Sequence, residues 1–320
     1  MRAYVIRRLL LLVATLFLVT LIVFLSVRFI PGDVIELMMS EHMMETQRGR
    51  QINAEAIKKR LGLDLPLHEQ YGRWLGGVIR GDLGISLWTN RPVAGDILER
   101  LPISLELGLL GIAVGLLIAV PIGIYSAIRQ DTPGDYLARS FAILCIAVPN
   151  FWLATMVIVF PSIWWQWTPP MEYIPFADDP TGNLQQFLIP AVVLGMALSG
   201  LTMRMTRTMM LEVLRQDYIR TAWSKGLSER TITFRHAVKN ALIPVITLVG
   251  LQVPVLIGGA VIIEQIFSLP GMGRFFLDAV RDRDYIIISG VNLVIATIVL
   301  INNLLIDCTY AYLDPRVKYR

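Results

Sequence analysis

Leu107-Gly-Leu-Leu-Gly-Ile-Ala-Val-Gly-Leu-Leu-Ile-Ala-Val-Pro-Ile-Gly-Ile-Tyr-Ser-Ala-Ile128 runs for twenty-two residues without a charge. A helix needs about 20 residues to cross roughly 30 Å of hydrocarbon, where only its own backbone hydrogen bonds are available. The stretch is long enough to span a bilayer, and it is not alone. Residues 9–27, 140–171, 180–203, 240–263 and 285–306 are also uncharged, each 19 residues or longer, and no other run approaches them. The pattern predicts an all-α membrane protein with six transmembrane helices.

Composition points the same way. Of 320 residues, 55% are hydrophobic and 17% charged, against about 25% charged in soluble domains. The mean hydropathy is +0.59. A disordered or collagen-like chain is excluded, and a water-soluble enzyme is disfavoured. The net charge of +4 is small for a nucleic-acid binder, so what matters is where the charges lie. Cys145 and Cys308 sit in apolar stretches and read as packing residues, not as a disulfide or zinc framework. The first run follows Arg2, Arg7 and Arg8, yet Arg28-Phe-Ile-Pro31 is no small-residue cleavage site, so an uncleaved first span is expected. The run 140–171 is too long for one crossing. Its span is expected to end near Pro161, with Trp164, Trp165 and Trp167 at the headgroup level. Pro121, Pro149, Pro190, Pro244 and Pro254 interrupt four spans, which fits kinked pore-lining helices or mere packing.

Basic residues near the spans set the orientation. With the N-terminus in the cytoplasm, the inside segments carry sixteen Lys and Arg against six acids. The outside segments carry twelve, nine of them in residues 31–100, a loop too long to weigh much in the rule. Both termini are thus expected in the cytoplasm. Residues 1–30 hold the N-terminus and first span, 31–100 an external helical segment, and 101–320 a five-helix core with the cytoplasmic loop 204–239.

In the external segment, Pro66 opens a stretch where Leu67, Tyr71, Trp74, Leu75 and Val78 recur at helical spacing, closed by Arg80-Gly81. That stripe fits either a docking face for a soluble partner or a cover for the outer ends of the spans. In the cytoplasmic loop, Asp217 is expected to cap a short helix carrying Tyr218, Ile219, Ala222 and Trp223, ended by Gly226. Ser228 starts a second helix with Ile232, Phe234, Ala237, Val238 and Ala241 on its apolar side and Arg230, Arg235 and Lys239 opposite. It leads into the fifth span. As a bare pattern this is equally a lever or an interfacial anchor.

The words of the loop separate the two. Asp217-Tyr-Ile-Arg-Thr-Ala-Trp-Ser-Lys-Gly-Leu227 and Arg235-His-Ala-Val-Lys-Asn-Ala-Leu-Ile-Pro244 resemble the cytoplasmic loop of ABC importer permeases, within them the dipeptide, oligopeptide and nickel branch. The resemblance continues through Ile30-Pro-Gly-Asp33, Gly81-Asp-Leu-Gly-Ile-Ser86, Leu101-Pro102, Pro149-Asn-Phe-Trp152, Phe267-Ser-Leu-Pro-Gly-Met-Gly-Arg274 and Asp314-Pro-Arg316. The general importer loop has Glu-Ala-Ala, three residues, then Gly. Here Arg220-Thr-Ala222 precedes Gly226, which leaves no carboxylate at the first position, and no role for one is carried over. The resemblance implies a type I ABC importer permease fold in a bacterial inner membrane. It also implies that Tyr218, Ile219, Arg220, Thr221, Ala222, Trp223, Lys225 and Gly226 form a coupling helix seated in an ATPase subunit. Apolar anchors (Tyr218, Ile219, Trp223), small residues (Ala222, Gly226) and peripheral charge (Arg220, Lys225) suit such a joint. Its implied partners are a second homologous permease, two ABC ATPase subunits, an external solute-binding protein and the lipid bilayer.

Other chemistry is sparse. No Gly-x-x-x-x-Gly-Lys-Ser/Thr occurs, so ATP and Mg2+ are expected in the partner ATPases, with no cofactor on this chain and no enzymatic role of its own. Gly271-Met-Gly273 is a fragment of a dinucleotide fingerprint with no strand before it. His42, His68 and His236 have no ligand spacing, and no metal site is expected. Ionisable residues within spans are functional candidates: Glu106 and Glu264 are candidates for a translocation path, with pairing between helices as the alternative, while Asp307 reads as structural. An ion-coupled secondary transporter is the rival class. It would carry mid-membrane ionisable groups and often an internal repeat, and neither is seen. Within the importer scaffold the expected cargo is short peptides, with nickel chelates, glutathione, opines and oligosaccharides as alternatives.

Overall fold

A computed structural model describes residues 2–28, 64–86, 88–170 and 172–313. The Ile30–Asp33 and Asp314–Arg316 motifs and His42 lie outside the described residues. The described chain is helical: α1 (Arg2–Arg28), α2 (Leu67–Ile79), α3 (Val93–Ile128), α4 (Pro133–Ala147), α5 (Asn150–Trp165), α6 (Pro180–Leu214) and α7 (Asp217–Ser224) come first. A single turn (Glu229–Thr231), a π-helical stretch (Ile232–Ala237), α8 (Val238–Ile266), α9 (Met272–Arg281) and α10 (Tyr285–Leu313) follow. The helices α1, α3, α6, α8 and α10 are each long and apolar enough to cross a membrane, and the bent pair α4–α5 makes a sixth crossing if counted as one.

The third uncharged run departs from expectation. It is not one helix ending near Pro161 but two, bent by 96°. Val148, just before Pro149, takes extended backbone (φ −85°, ψ 120°), because the proline ring crowds a helical conformation at the residue ahead of it. Pro161 sits inside α5, which ends at Trp165 with Gln166 in the left-handed region. Trp164 and Trp165 are exposed, as an interfacial belt requires. Pro121, Pro190, Pro244 and Pro254 all lie within continuous helices. At Pro254 the carbonyl left without its helical donor is that of Gly250, and Asn302 of α10 donates to it at 3.0 Å.

Contacts divide the chain into two units. One comprises Leu101–Arg274 with the chain ends Met1–Ile6 and Ile301–Arg320. Its largest pairing is α6 against α8, with α4 and α5 also on α6. The core holds Leu107 of α3, Ala154 of α5, Phe187, Leu194 and Leu198 of α6, and Leu256 and Ile263 of α8. Glycines let α3 and α6 touch backbone to backbone: a methyl at Gly195 would stand 2.7 Å from the Gly111 carbonyl. Lipid tails give no hydrophobic drive for helices to associate, so such close van der Waals packing must supply it.

The other unit comprises Arg7–Arg100 and Phe275–Leu300. Here the α2 stripe turns out to cover α1: the Tyr71 ring meets Phe24 edge-on at 5.4 Å, Trp74 lies 5.8 Å from the same ring, and the Tyr71 and Thr20 hydroxyls hydrogen-bond at 2.9 Å. Leu67, at the start of the stripe, stays exposed. After α2 the chain turns through Gly81 and Gly84. Ser86 then donates to Asp284 at 2.6 Å, and the Trp88 indole donates to the Asp282 carbonyl at 2.7 Å. Asp284 also accepts from the backbone N–H groups of Ile286 and Ile287, so it caps α10 while holding the loop.

Candidate coupling surface and membrane path

The loop between α6 and α8 folds as a short helix and a tight turn. Asp217 is the first residue of α7 rather than its cap; that position falls to Gln216, which makes no side-chain cap bond, while Asp217 pairs with Arg220 at 3.5 Å one turn on. The helix end follows the sequence. Gly226 has φ +76°, its N–H donates to the Trp223 carbonyl at 2.9 Å, and the Leu227 N–H donates to Ala222 at 3.4 Å. This is the paired bonding of a Schellman end, which a residue without Cβ adopts freely.

The two faces of α7 divide the expected anchors. Ile219 and Ala222, three residues apart, are buried against Ile124 and Ala127 of α3, Met210 of α6, and Ile232, Ala237 and Ala241 beyond the turn. They therefore do not present themselves to a partner's cleft; they seat the helix on its own chain. Tyr218, Arg220, Thr221, Trp223, Ser224 and Lys225 face outward. Tyr218 is also tied, accepting from the Asn240 amide at 2.9 Å at the start of α8. Trp223 is the large apolar residue of the outward face without such a tether, and it is 50% exposed.

Beyond the turn, Ser228 caps the next helix, accepting from the Thr231 N–H at 3.4 Å. Phe234, expected on the apolar side, is instead exposed, and Thr233 is buried in its stead. The reason is the π-helical stretch. With more than 3.6 residues per turn, the inward positions become Ile232, Ala237 and Ala241, the first pair five apart, and Phe234 rotates out.

A cluster not anticipated from the sequence locks this end of the bundle. Asp135, fully buried at the start of α4, receives two bonds from Arg207 of α6, Nε to Oδ1 at 2.9 Å and a terminal nitrogen to Oδ2 at 2.8 Å. Ser126 of α3 donates to the same carboxylate, and so does the Asp131 N–H at 3.0 Å. One carboxylate thus ties three helices. Its signal was legible: Thr132-Pro-Gly-Asp135 has the capping-box spacing with proline at the first helical position, and Thr132 accepts from the Asp135 N–H at 3.4 Å.

The two carboxylates proposed for a path have opposite fates. Glu264 is fully buried, accepting from the Ser104 hydroxyl at 2.5 Å and the Arg274 N–H at 3.0 Å, while Ser104 accepts from the Met272 N–H at 2.8 Å. Gly271 and Gly273 press on it so closely that a Cβ at Gly271 would overlap the Glu264 carboxyl group. Glu264 thus organises the chain reversal after α8, which is also the use of the Gly-Met-Gly fragment. Glu106 is half-buried on α3, beside Asn183 of α6 and Tyr173, and its Oε1 has no hydrogen-bond partner. Between α3 and α8 opens an apolar cleft of about 570 Å³, lined by Ala113, Leu117, Val120 and Pro121 on one side and Leu242 and Ile246 on the other.

Two family models match: residues 119–319 fit the binding-protein-dependent transport system inner membrane component, and residues 1–108 fit the N-terminal part of such membrane components. Among similar proteins are a peptide transport system permease protein of Brucella abortus (38% identity), the dipeptide transport system permease protein DppB of Escherichia coli (36%) and the oligopeptide transport system permease protein AppB of Bacillus subtilis (38%), each match covering all of both chains. Solved structures of an amino acid ABC transporter (TM-score 0.53, 13% identity, 68% of this chain and 94% of that one) and of the inward-facing MetNI methionine ABC transporter (0.54, 14%, 68% and 96%) share the fold of the core. A chain matched over its whole length by such relatives, and folded like the membrane subunits of importers, belongs to the binding-protein-dependent permeases of ABC transporters.

Proposed function

We propose that this chain works as one of two homologous permease subunits that carry short peptides across a bacterial inner membrane. Two ATPase subunits drive it, and an external binding protein delivers the cargo. Both termini and α7 lie in the cytoplasm, where the basic residues concentrate. ATP and Mg2+ bind to the ATPases. Their closure on ATP moves α7 together with its seat, and the burial of Ile219 and Ala222 passes that motion to α3, α6 and α8. The Tyr218–Asn240 bond adds a second link directly to α8. Cargo crosses as the helices alternate between outward and inward openings, and hydrolysis resets them.

The observation that carries this reading is the division of α7 into an inner face fixed to the permease and an outer face that offers Trp223. An interfacial anchor would turn its apolar residues toward lipid instead, with its charges on the opposite face. The cargo class rests on the peptide transporters among the relatives. The test is reconstitution in proteoliposomes with and without the ATPases and binding protein, using radiolabelled di- and tripeptides. Uptake should need ATP inside the ATPase compartment and every partner. Uptake driven by an ion gradient without ATP would overturn the importer mechanism, and loss of peptide uptake with retention of another solute would overturn the cargo.

A further inference from the structure

Glu106 is a carboxylate in a wall that supplies no cation. Residues 101–128, 180–203 and 240–273, which build the surrounding helices, contain no Lys, Arg or His. Its Oε1 is sheltered from solvent and unbonded. The neighbouring Asn183 is fully buried and spends one amide hydrogen on the Ile174 carbonyl at 2.9 Å, and its own Oδ1 has no donor either. Turning the amide over would set two carbonyl oxygens against each other at Ile174, so its orientation is fixed. The Asn183 amide also hydrogen-bonds the Glu106 carboxylate, so among the described residues two acceptor oxygens, Oε1 of Glu106 and Oδ1 of Asn183, are left without a donor. Intramembrane ionisable groups are retained where they act on something that passes or binds.

The position along α3 says where that action takes place. Ala113 follows Glu106 by seven residues, about two helical turns, and so shares its face. Ala113, Leu117 and Val120 line the apolar cleft against α8. Glu106 accordingly stands at the head of an apolar groove. A group suited to both features has N–H donors at one end and an apolar body behind.

We infer that Glu106, with Asn183 beside it, binds the primary ammonium group of the cargo as it enters the pathway, while the apolar cleft accepts the rest of the molecule. The inference rests on the permease reading above and sharpens it: the chain itself reads one end of the peptide. An ammonium has three donors and meets a carboxylate and an amide oxygen at once.

The complete importer with its ATPases and binding protein provides the test. Trialanine and its desamino counterpart propionyl-dialanine differ only in the ammonium. With Glu106→Gln, trialanine uptake should fall at least about tenfold, the loss of one charge-assisted hydrogen bond. Propionyl-dialanine uptake should be unchanged, and ATPase stimulation by the loaded binding protein should persist. Glu106→Asp should restore part of the trialanine uptake. Equal losses for both cargoes, or none for either, would overturn the inference. A second measurement needs no transport. Water-soluble carbodiimide with glycinamide should modify Glu106 in the assembled complex, read by mass spectrometry as the sum of the glycinamide and N-methylamide adducts because methylamine can itself couple, and methylammonium should lower that sum where tetramethylammonium does not. If trialanine is not a substrate at all, the peptide reading falls and the protection assay still decides the site. Failure of methylammonium to protect would refute it.

Discussion

Trp223→Ala separates docking from folding. The indole is 50% exposed on the outward face of α7, and a large aromatic side chain offers about 150–250 Å² for burial. Roughly 75 to 125 Å² thus remains for a partner, worth about 2 to 3 kcal/mol at about 25 cal/mol per Å². That corresponds to about a hundredfold in Kd. The rest of the chain should not notice, because the helix is seated by Ile219 and Ala222 and ended by Gly226. The assay is titration of the purified permease pair with its labelled ATPase subunits, alongside uptake and the melting temperature of the permease pair. Trp223→Ala should weaken ATPase affinity by about two orders of magnitude and abolish stimulation by the loaded binding protein, while leaving the melting temperature in place. Arg230→Ala, on an exposed turn beyond the joint, is the control and should change affinity by no more than about twofold. If Trp223→Ala bound the ATPases within about threefold of the wild type, the outward face of α7 would not be the docking surface.

The other substitutions probe the seat, the turn and the clamp. Ile219→Ala opens a cavity at a fully buried position and should cost about 2 to 5 kcal/mol locally, seen as faster proteolysis of residues 215–240. Gly226→Val should add about 1 to 2 kcal/mol of backbone strain at φ +76° and uncouple ATP hydrolysis from uptake, whereas Gly226→Asn should be tolerated; no atom lies near a Cβ there, so bulk is not the cause. Arg207→Met leaves Asp135 without its counter-charge. Deep pairs cost about 3 to 5 kcal/mol when broken this way, and this one, at the first turn of α4, should lie toward the lower end; adding Asp135→Leu should recover most of the loss in thermal unfolding. Single cysteines in α2 should react with impermeant reagents from outside, and those in α7 only after permeabilisation, in a chain lacking Cys145 and Cys308; the reverse would overturn the orientation.

Hydrophobic run length made the spans legible, because a membrane helix must be uncharged for its whole crossing whatever it packs against. It could not reveal the break at Val148–Pro149. A proline within a charge-free run reads the same whether the helix continues through it, as at Pro121, or turns by 96° after it. What distinguishes them is tertiary: at Pro254 a donor from Asn302 meets the freed Gly250 carbonyl, and that partner lies 52 residues away. The coupling loop shows the same division. Glycine at 226 and the Ser228 cap are local chemistry and came through intact. Which apolar residues face inward did not, for two reasons. Helical periodicity gives the spacing of a stripe but not which stripe meets the bundle, so Ile219 and Trp223 looked alike. The π-helical stretch then changes the period itself, which moves Phe234 outward and Thr233 inward. Glu264 and Glu106 were equivalent in sequence as lone carboxylates in apolar runs. They differ only through their neighbours: Ser104 and the glycine turn occupy both oxygens of one, while the other has the Asn183 amide beside it and its Oε1 without a donor among the described residues. Both oxygens of Glu264 already accept from the Ser104 hydroxyl and the Arg274 N–H in a fully buried turn, whereas Oε1 of Glu106 has no donor among the described residues, so Glu106 is the residue on which the transport test of cargo binding is placed.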